Sequence, residues 1–299
     1  MESWEHALVG TALDYRIRYS FAVTAAEHLL AGKAATQLLG AVLANGRLVR
    51  RALGTNVVLD IQALRDEGME IAEVPVPMLH AVQEFMAGLD SAVYALNPVN
   101  RRLDDANEEL LARYCLVLAN LDAVFRAAVI PRPFIEPRVC ATSADLLATA
   151  RPAWLRDMRA LTAKFVDTTA SDGFLELPAV LNSTFVGSAD MAADADLIVD
   201  ACLVEVKCTV DPGRGLVQTL AQLLGYVLLD YEDQYKIDSA AIYFARQGRL
   251  LRWSLAELMG GAVTQNGLRA LRAEFRELLR RLGSKTRSGW AKPSSTSQA

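Results

Sequence analysis

Two short apolar segments lie close together in the second half of the chain, at residues 197–199 and 203–207. Their length and composition predict two β-strands. The second segment carries two charged residues, Glu205 and Lys207, among apolar neighbours. Side chains of a strand alternate between its two faces, so both charges share a face with Leu203. Charges that interrupt an apolar strand are typical of functional sites.

Residues 200–202 separate the two segments, and a two-residue turn at 200–201 would make them a tight hairpin. With a two-residue turn, Asp196 lies directly opposite Glu205, and Asp194 lies opposite Lys207. Directly opposite residues in a hairpin have Cβ atoms about 4.5–5.5 Å apart. The register therefore brings two carboxylates together, with a lysine one step further along the strand.

The converging carboxylates of Asp196 and Glu205 favour a metal site. Two like charges this close repel each other, and a divalent cation removes the conflict. Mg²⁺ prefers oxygen ligands and commonly takes one or two carboxylates together with substrate phosphate oxygens. A lysine beside such an ion, here Lys207, can orient a water or stabilise developing negative charge. The alternative is a surface hairpin whose charges are solvated.

A helix is predicted immediately after the hairpin, between Gly215 and Asp230. Within it, Gln218, Gln222 and Tyr226 recur every four residues, so the three side chains lie on one face of the helix. Polar groups in an otherwise apolar helix next to a charged hairpin indicate a shared site. The alternative is an ordinary amphipathic helix whose polar stripe faces water.

These residues together resemble the motifs of a nuclease family. Asp196, the segment Glu205-Val206-Lys207, and the pair Gln222 and Tyr226 occur in the order seen in the PD-(D/E)XK nuclease superfamily. The chain is most similar to the RecB-like branch, which carries a Q-x-x-x-Y motif on the helix after the catalytic strands. The resemblance covers roughly residues 180–255, and the ordered set is more specific than E-x-K alone.

The resemblance implies a role for each matched residue. Asp196 and Glu205 correspond to the metal ligands, with the backbone carbonyl of Val206 as a further ligand. Lys207 corresponds to the residue that assists the attacking water. The glutamine and tyrosine of the helix motif would orient the catalytic groups or contact DNA, so the implied catalytic set is Asp196, Glu205, Lys207, Gln222 and Tyr226. The implied ion is Mg²⁺ or Mn²⁺.

The identity of the metal-binding aspartate stays open at this point. Asp190 and Asp194 compete with Asp196, which we prefer because it enters the strand directly and pairs with Glu205. The sequence also departs from the family pattern, because Ala195 stands where the motif has proline.

Charge is distributed unevenly along the chain, whose net charge is −4. From residue 245 to the end the net charge is +8, so the first 244 residues carry −12. Arginines of the last predicted helix, over 267–282, recur at three and four residues and form a basic stripe that can neutralise phosphates. The alternative is a solvated face. The residues predicted to contact nucleic acid are Arg214, Gln218, Arg272 and Arg276.

The predicted organisation has three parts. Residues 1–168 form a largely helical N-terminal region, 169–283 form a nuclease core with a C-terminal helix, and 284–299 form a disordered tail. The fold class is α/β (α+β), with a restriction-endonuclease-like core whose small mixed sheet is flanked by helices. Its first strand is predicted at 184–186, and a second hairpin is predicted at 239–253.

Several helices are predicted in the N-terminal region. The first spans residues 3–20, and its Arg16 and Arg18 are interpreted as charges that suit the end of a helix dipole. Alanine-rich helix continues over 22–45, and a short helix is predicted near 59–65.

Cofactors other than the divalent ion are not expected. The four cysteines show no C-x-x-C spacing, and Cys202 and Cys208 fall in the core-facing row of the hairpin. We therefore predict neither an iron–sulfur cluster nor a zinc site. No long apolar run predicts a membrane span, and the first residues do not resemble a signal peptide, so a cytoplasmic protein without membrane contact is expected.

The sequence thus predicts a Mg²⁺- or Mn²⁺-dependent deoxyribonuclease, a phosphodiester hydrolase acting in defence against foreign DNA (restriction) or in DNA repair. DNA is the expected partner, and RNA stays open. A homodimer or a partner protein could be held through the helical N-terminal half. The alternative is a catalytically inactive nuclease-fold subunit for nucleic-acid binding or assembly.

Overall fold

The computed structural model describes residues 3–23, 47–52, 55–60, 76–127, 142–170, 172–191, 193–261 and 264–289. The helices in these ranges are α1 (Ser3–Phe21), α2 (Val76–Leu96), α3 (Asp105–Ala127), α4 (Ser143–Ala148), α5 (Pro152–Thr169), α6 (Leu216–Leu229), α7 (Leu255–Leu258) and α8 (Gln265–Gly289). The strands are β1 (Arg47–Ala52), β2 (Thr55–Asp60), β3 (Ala179–Thr184), β4 (Asp194–Val199), β5 (Cys202–Lys207), β6 (Ser239–Phe244) and β7 (Arg249–Ser254).

Strands β3 to β7 form one five-stranded sheet in sequence order. The pairs β3–β4, β4–β5 and β6–β7 are antiparallel, whereas β5 and β6 are parallel. Two parallel neighbours need a long crossover, and α6 supplies it. Strands β1 and β2 form a separate antiparallel hairpin.

Both faces of the sheet are covered by helices. On one face, Leu197, Val204 and Tyr243 belong to a hydrophobic core that also includes buried residues of α1 to α5. On the other face, Ile198 and Leu203 pack with residues of α6, α7 and α8. The mixed α/β class predicted from the sequence is therefore confirmed.

Local sequence signals explain where several helices begin. Thr142 and Asp145 form a capping box before α4, and Ser254 and Glu257 form one before α7. Proline at the first position of α5 has no amide hydrogen to leave unpaired, so it suits a helix start.

Three boundaries predicted from the sequence are wrong. The first strand of the sheet is β3, which ends at Thr184, and residues 186–189 form a 3₁₀ turn. Strand β2 occupies the start of the helix predicted near 59–65, whose remainder lies outside the described residues. Helix α8 continues to Gly289, so residues 284–289 are not a disordered tail. The helix predicted over 22–45 lies outside the described residues from residue 24 onwards.

In the described part of the chain, no helix combines the length and the apolar composition needed to cross a membrane.

Candidate active site

The hairpin of β4 and β5 sets the geometry of the site. Asp200 and Ala201 have φ angles of 46° and 62°, so both turn residues are left-handed, as a type I′ turn requires. The pairs that follow are Val199 with Cys202, Ile198 with Leu203 and Leu197 with Val204. This register is the one predicted, and it makes Asp196 and Glu205 the next two residues along the paired strands.

The side chain of Asp196 replaces a backbone hydrogen-bond acceptor at the end of the β4–β5 pairing. The backbone N–H of Val206 donates a hydrogen bond of 2.8 Å to Oδ2 of Asp196. A side chain thus replaces the carbonyl that would continue the ladder, and the carboxylate of Asp196 is held against β5. This contact places the Asp196 carboxylate beside Glu205.

A chain of hydrogen bonds links β5 to α6. Nζ of Lys207 donates to Oε1 of Glu205 at 2.5 Å and to Oε1 of Gln222 at 3.1 Å. Nε2 of Gln222 donates to the hydroxyl of Tyr226 at 2.5 Å. Four residues that the sequence motif singled out are therefore in direct contact, and Gln222 is the residue that joins the strand to the helix.

Glu205 is a buried carboxylate with a perturbed acidity. Only 4% of the surface of Glu205 is exposed to solvent. Burial, and after it the negative charge of Asp196, raise the pKa of Glu205 to about 8, although Lys207 acts in the opposite direction. A solvated surface hairpin, the alternative interpretation of these charges, does not fit a carboxylate buried to this degree.

Helix α1 contributes two residues that the sequence analysis did not assign to the site. The guanidinium of Arg18 donates through Nε to the backbone carbonyl of Asp196 at 3.2 Å and pairs with Oδ2 of Asp14 at 2.7 Å. The charge of Asp14 is also among the causes that raise the pKa of Glu205. The only available signal was the i, i+4 spacing of Asp14 and Arg18, which predicts an ion pair on a helix but no contact with a strand.

Aromatic side chains close the side of the site next to β3. The ring of Phe185 stacks on Tyr226 with ring centroids 5.9 Å apart. Tyr235 meets Phe185 edge-on at 5.6 Å, and its hydroxyl donates to the carbonyl of Thr184 at 2.7 Å. Burial, followed by the charge of Glu205, raises the pKa of the Tyr226 hydroxyl, which therefore keeps its proton. Phe185 was not identified from the sequence.

The three competing aspartates lie in different places. Asp190 accepts a hydrogen bond from the hydroxyl of Tyr231 at 3.1 Å, near the C-terminal end of α6. Asp194 pairs with Thr184 of β3, and its charge contributes to the raised pKa of Tyr226. Asp196 is the one whose carboxylate is hydrogen-bonded to the backbone of β5. The geometry thus favours Asp196 as the partner of Glu205.

The residues predicted to contact nucleic acid divide into two groups. Arg214 and Gln218 are exposed, in the loop after β5 and at the start of α6. Arg272 is only 3% exposed, and its guanidinium donates to the carbonyl of Val227 and to Asp233, at 3.1 Å and 2.8 Å. The predicted place of Arg272 on an exposed basic stripe is therefore wrong, because its side chain ties α8 to the end of α6.

Arg276, the other arginine selected from this stripe, is half-buried. Its guanidinium lies over the ring of Tyr231, 5.0 Å from the centroid. This contact places Arg276 near Asp190 rather than beside Lys207. The basic stripe as a whole is thus partly used for packing within the chain.

No family model, curated protein or solved structure matches the chain.

The chemistry of the carboxylate pair suits a hard divalent cation. Asp196 and Glu205 offer oxygen ligands, and the carbonyl of Val206 lies between Glu205 and Lys207 on the same strand. Among the described residues, no three His, Cys, Asp or Glu side chains form a ready-made metal-binding group. The fit therefore rests on the carboxylate pair, whose mutual repulsion is visible in the raised pKa of Glu205 and would be relieved by a cation.

Proposed function

We propose that the chain is a metal-dependent nuclease that hydrolyses DNA phosphodiester bonds, with a restriction-endonuclease-like core of the PD-(D/E)XK type. The observation that carries this proposal is the convergence of residues from three elements. Asp196 of β4, Glu205 and Lys207 of β5, and Gln222 of α6 are connected through hydrogen bonds around one buried carboxylate.

The ion expected at the carboxylates, Mg²⁺ or Mn²⁺, would polarise the phosphate and lower the pKa of an attacking water. Asp196 and Glu205 would hold it, with the Val206 carbonyl as a further oxygen donor. The backbone N–H of Val206 keeps the carboxylate of Asp196 aimed at β5. Arg18 fixes the backbone of the same residue from the opposite side of the strand.

Lys207 is in direct contact with the Glu205 carboxylate. Its ammonium group is held between Glu205 and Gln222, a position from which it can orient a water or stabilise charge that develops on a phosphate. Gln222 is in turn held by Tyr226. Truncating Gln222 would therefore loosen Lys207 without removing any charge.

DNA would approach past the loop that follows β5. Arg214 lies exposed in this loop, and Gln218 lies exposed one helical turn before Gln222 on α6. A cation and an amide at this edge suit contacts with the phosphate backbone, which position a duplex without reading its sequence. Such contacts are compatible with a role in defence against foreign DNA or in repair.

Cleavage assays on site variants test this function directly. Linear, circular and single-stranded DNA, and RNA, are incubated with Mg²⁺ or Mn²⁺, with and without EDTA. We expect wild-type protein to cleave DNA only when metal is present, and Lys207→Ala and Glu205→Ala to be slower by about 10²–10⁴-fold, as expected for loss of a catalytic group. Glu232→Ala and Lys236→Ala, which alter exposed residues of the same types between α6 and β6, should cleave like wild type.

Two outcomes would contradict the proposal in different ways. If Lys207→Ala and Glu205→Ala cleave as fast as wild type, the residues assigned to the site are wrong. If wild type binds DNA but is as inert as the variants on every substrate, the chain is instead an inactive nuclease-fold subunit for binding or assembly.

A further inference from the structure

An exposed apolar surface runs along the outer side of α6 and α8. Leu278 of α8 is 44% exposed, and Leu271 and Leu282 of the same helix are exposed to a similar degree. We define the α6/α8 surface as Leu228 of α6 and Leu271, Leu278 and Leu282 of α8. Clustered leucines on a charged helix are uncommon unless another surface covers them.

The two helices form a groove at this surface. A cavity of about 720 Å³, open to solvent, is lined by Leu228 of α6 and by Leu271, Phe275 and Leu278 of α8. Leu268 and Arg272 of α8 already pack against the body of the chain. The exposed leucines are therefore additional to the residues that hold α8 in place.

The spacing of the α8 residues is that of a helix that packs against another helix. Leu268, Leu271, Phe275, Leu278 and Leu282 follow each other at alternating intervals of three and four. This is the heptad pattern of a coiled-coil seam. The first residue of the series is buried in the chain itself, whereas the last two remain exposed.

Charges beside the seam favour a second copy of the chain as the partner. Glu274 and Arg281 lie seven residues apart, hence on the same flank of α8, and on either side of Leu278. Arg281 also lies near Glu277 of its own helix, at 3.8 Å, and both of these side chains are well exposed. A twofold axis beside Leu278 would make two α8 helices antiparallel and place each Glu274 against Arg281 of the other copy. The same axis brings Leu271 of one copy close to Leu282 of the other.

We propose that the α6/α8 surface is a homodimer interface in which the α8 helices of two copies pack antiparallel. An isologous interface must be self-complementary. This flank of α8 meets that condition, because one twofold axis places Glu274 against Arg281 of the other copy and also brings the leucines together. The interface is distinct from the helical N-terminal half, where the sequence analysis placed a possible dimer contact.

This interface would leave the candidate active site open. Successive residues of a helix point about 100° apart, so Leu228 lies about 160° around α6 from Tyr226. Leu224 and Leu228 form an apolar stripe, whereas Gln222 and Tyr226 belong to the polar one. A dimer through the apolar stripe therefore covers none of the residues that contact Lys207. The proposal does not depend on nuclease activity.

Sedimentation velocity over a range of protein concentrations measures the oligomeric state. We expect wild type to be dimeric at micromolar concentration, and Leu278→Glu to raise the dissociation constant at least a hundredfold. Leu251→Glu is the matched control, because Leu251 of β7 is 41% exposed but lies outside the surface; it should leave the dimer unchanged. A wild-type protein that is monomeric throughout, with another segment of the chain covering the leucines, would overturn the proposal.

Charge exchange tests the orientation without introducing a charge into the apolar seam. Glu274→Arg and Arg281→Glu should each weaken the dimer about tenfold or more, because each places like charges opposite each other twice. Mixing the two single variants restores both opposite-charge contacts in a heterodimer, and so does the double variant E274R/R281E. If the mixture associates no better than either variant alone, the antiparallel arrangement is refuted. A dimer that survives Leu278→Glu would place the interface elsewhere and refute the surface itself.

Discussion

Glu205 is a carboxylate whose surroundings oppose its ionisation. It is buried next to Asp196, and Lys207, in direct contact with it, favours the charged form. In the absence of a cation, the repulsion between the carboxylates of Asp196 and Glu205 is unfavourable.

The metal-free protein should lose stability through Glu205 as the pH rises. The pKa of Glu205 is about 8 in the folded chain, against a usual value of 4.5. Between these values the folded state retains a proton that the unfolded state has released, so the contribution of Glu205 falls as pH increases through this window. Glu205→Gln cannot ionise, so wild type should weaken relative to this variant from pH 5 to pH 8.5. Urea unfolding in EDTA measures the difference, and parallel pH profiles of the two proteins would contradict it.

Arg214 should contribute to DNA affinity rather than to the chemical step. It is exposed beside the site, and a phosphate contact there would release about one counterion on binding. In the Lys207→Ala background, Arg214→Glu should weaken DNA binding and reduce the slope of log K against log salt by about 1. Arg156→Glu, at an exposed position of α5, should do neither. Fluorescence anisotropy at several salt concentrations makes the comparison, and equal slopes for the two variants would exclude Arg214 as a phosphate contact.

The turn between β4 and β5, which sets the register of the two strands, contains a residue in an unfavourable backbone conformation. Ala201 has a φ of 62°, a left-handed conformation that costs an L-residue about 1–2 kcal/mol. Ala201→Gly should therefore stabilise the chain by about 0.5–1 kcal/mol, since the greater freedom of glycine in the unfolded chain offsets part of the gain. Ala270→Gly, at an exposed position in α8, should instead destabilise it by about 1 kcal/mol. Thermal unfolding shows whether each variant gains or loses stability. A loss of stability in Ala201→Gly would contradict the inference that the turn is strained.

Elements that are defined by local sequence patterns were predictable, and the β4–β5 hairpin shows this most clearly. Its turn length and the period of two along the strands fix which residues face each other, so the positions of Asp196 and Glu205 followed without any tertiary information. The limits of β3 and α8 were not predictable in this way. Their ends depend on contacts with other elements, such as the pairing of β3 with β4.

The residues predicted incorrectly are arginines that are buried in tertiary contacts. On a helical wheel Arg272 belongs to a basic stripe, and Arg16 looks like a charge at a helix end. In the structure both are buried against acidic partners from other elements. Sequence spacing places a charge on a face of a helix but does not show what packs against that face.

A buried ion pair joins α1 to α3. Nε and a terminal nitrogen of Arg16 donate to the two carboxylate oxygens of Glu108 at 2.7 Å and 3.0 Å. Removing one partner would leave a buried charge without its counterion, so Arg16→Met should reduce the free energy of unfolding by about 3–5 kcal/mol. Arg102→Met removes an exposed pair with Asp167, 3.7 Å apart, and should cost about 0–1 kcal/mol. Urea unfolding of both variants tests this, and equal losses would mean that the Arg16 pair adds nothing through burial.

The contact between Arg18 and the carbonyl of Asp196 joins residues 178 positions apart. Contacts between residues this far apart in sequence slow folding, because the entropy of closing a long loop is lost when they form. A nascent chain that has just emerged with α1 has no lysine from β5, and a fragment that begins after α1 has that lysine but no arginine behind Asp196. The assembly of this site therefore needs both parts of the chain, and a proteolytic product without α1 would lack one of its supports.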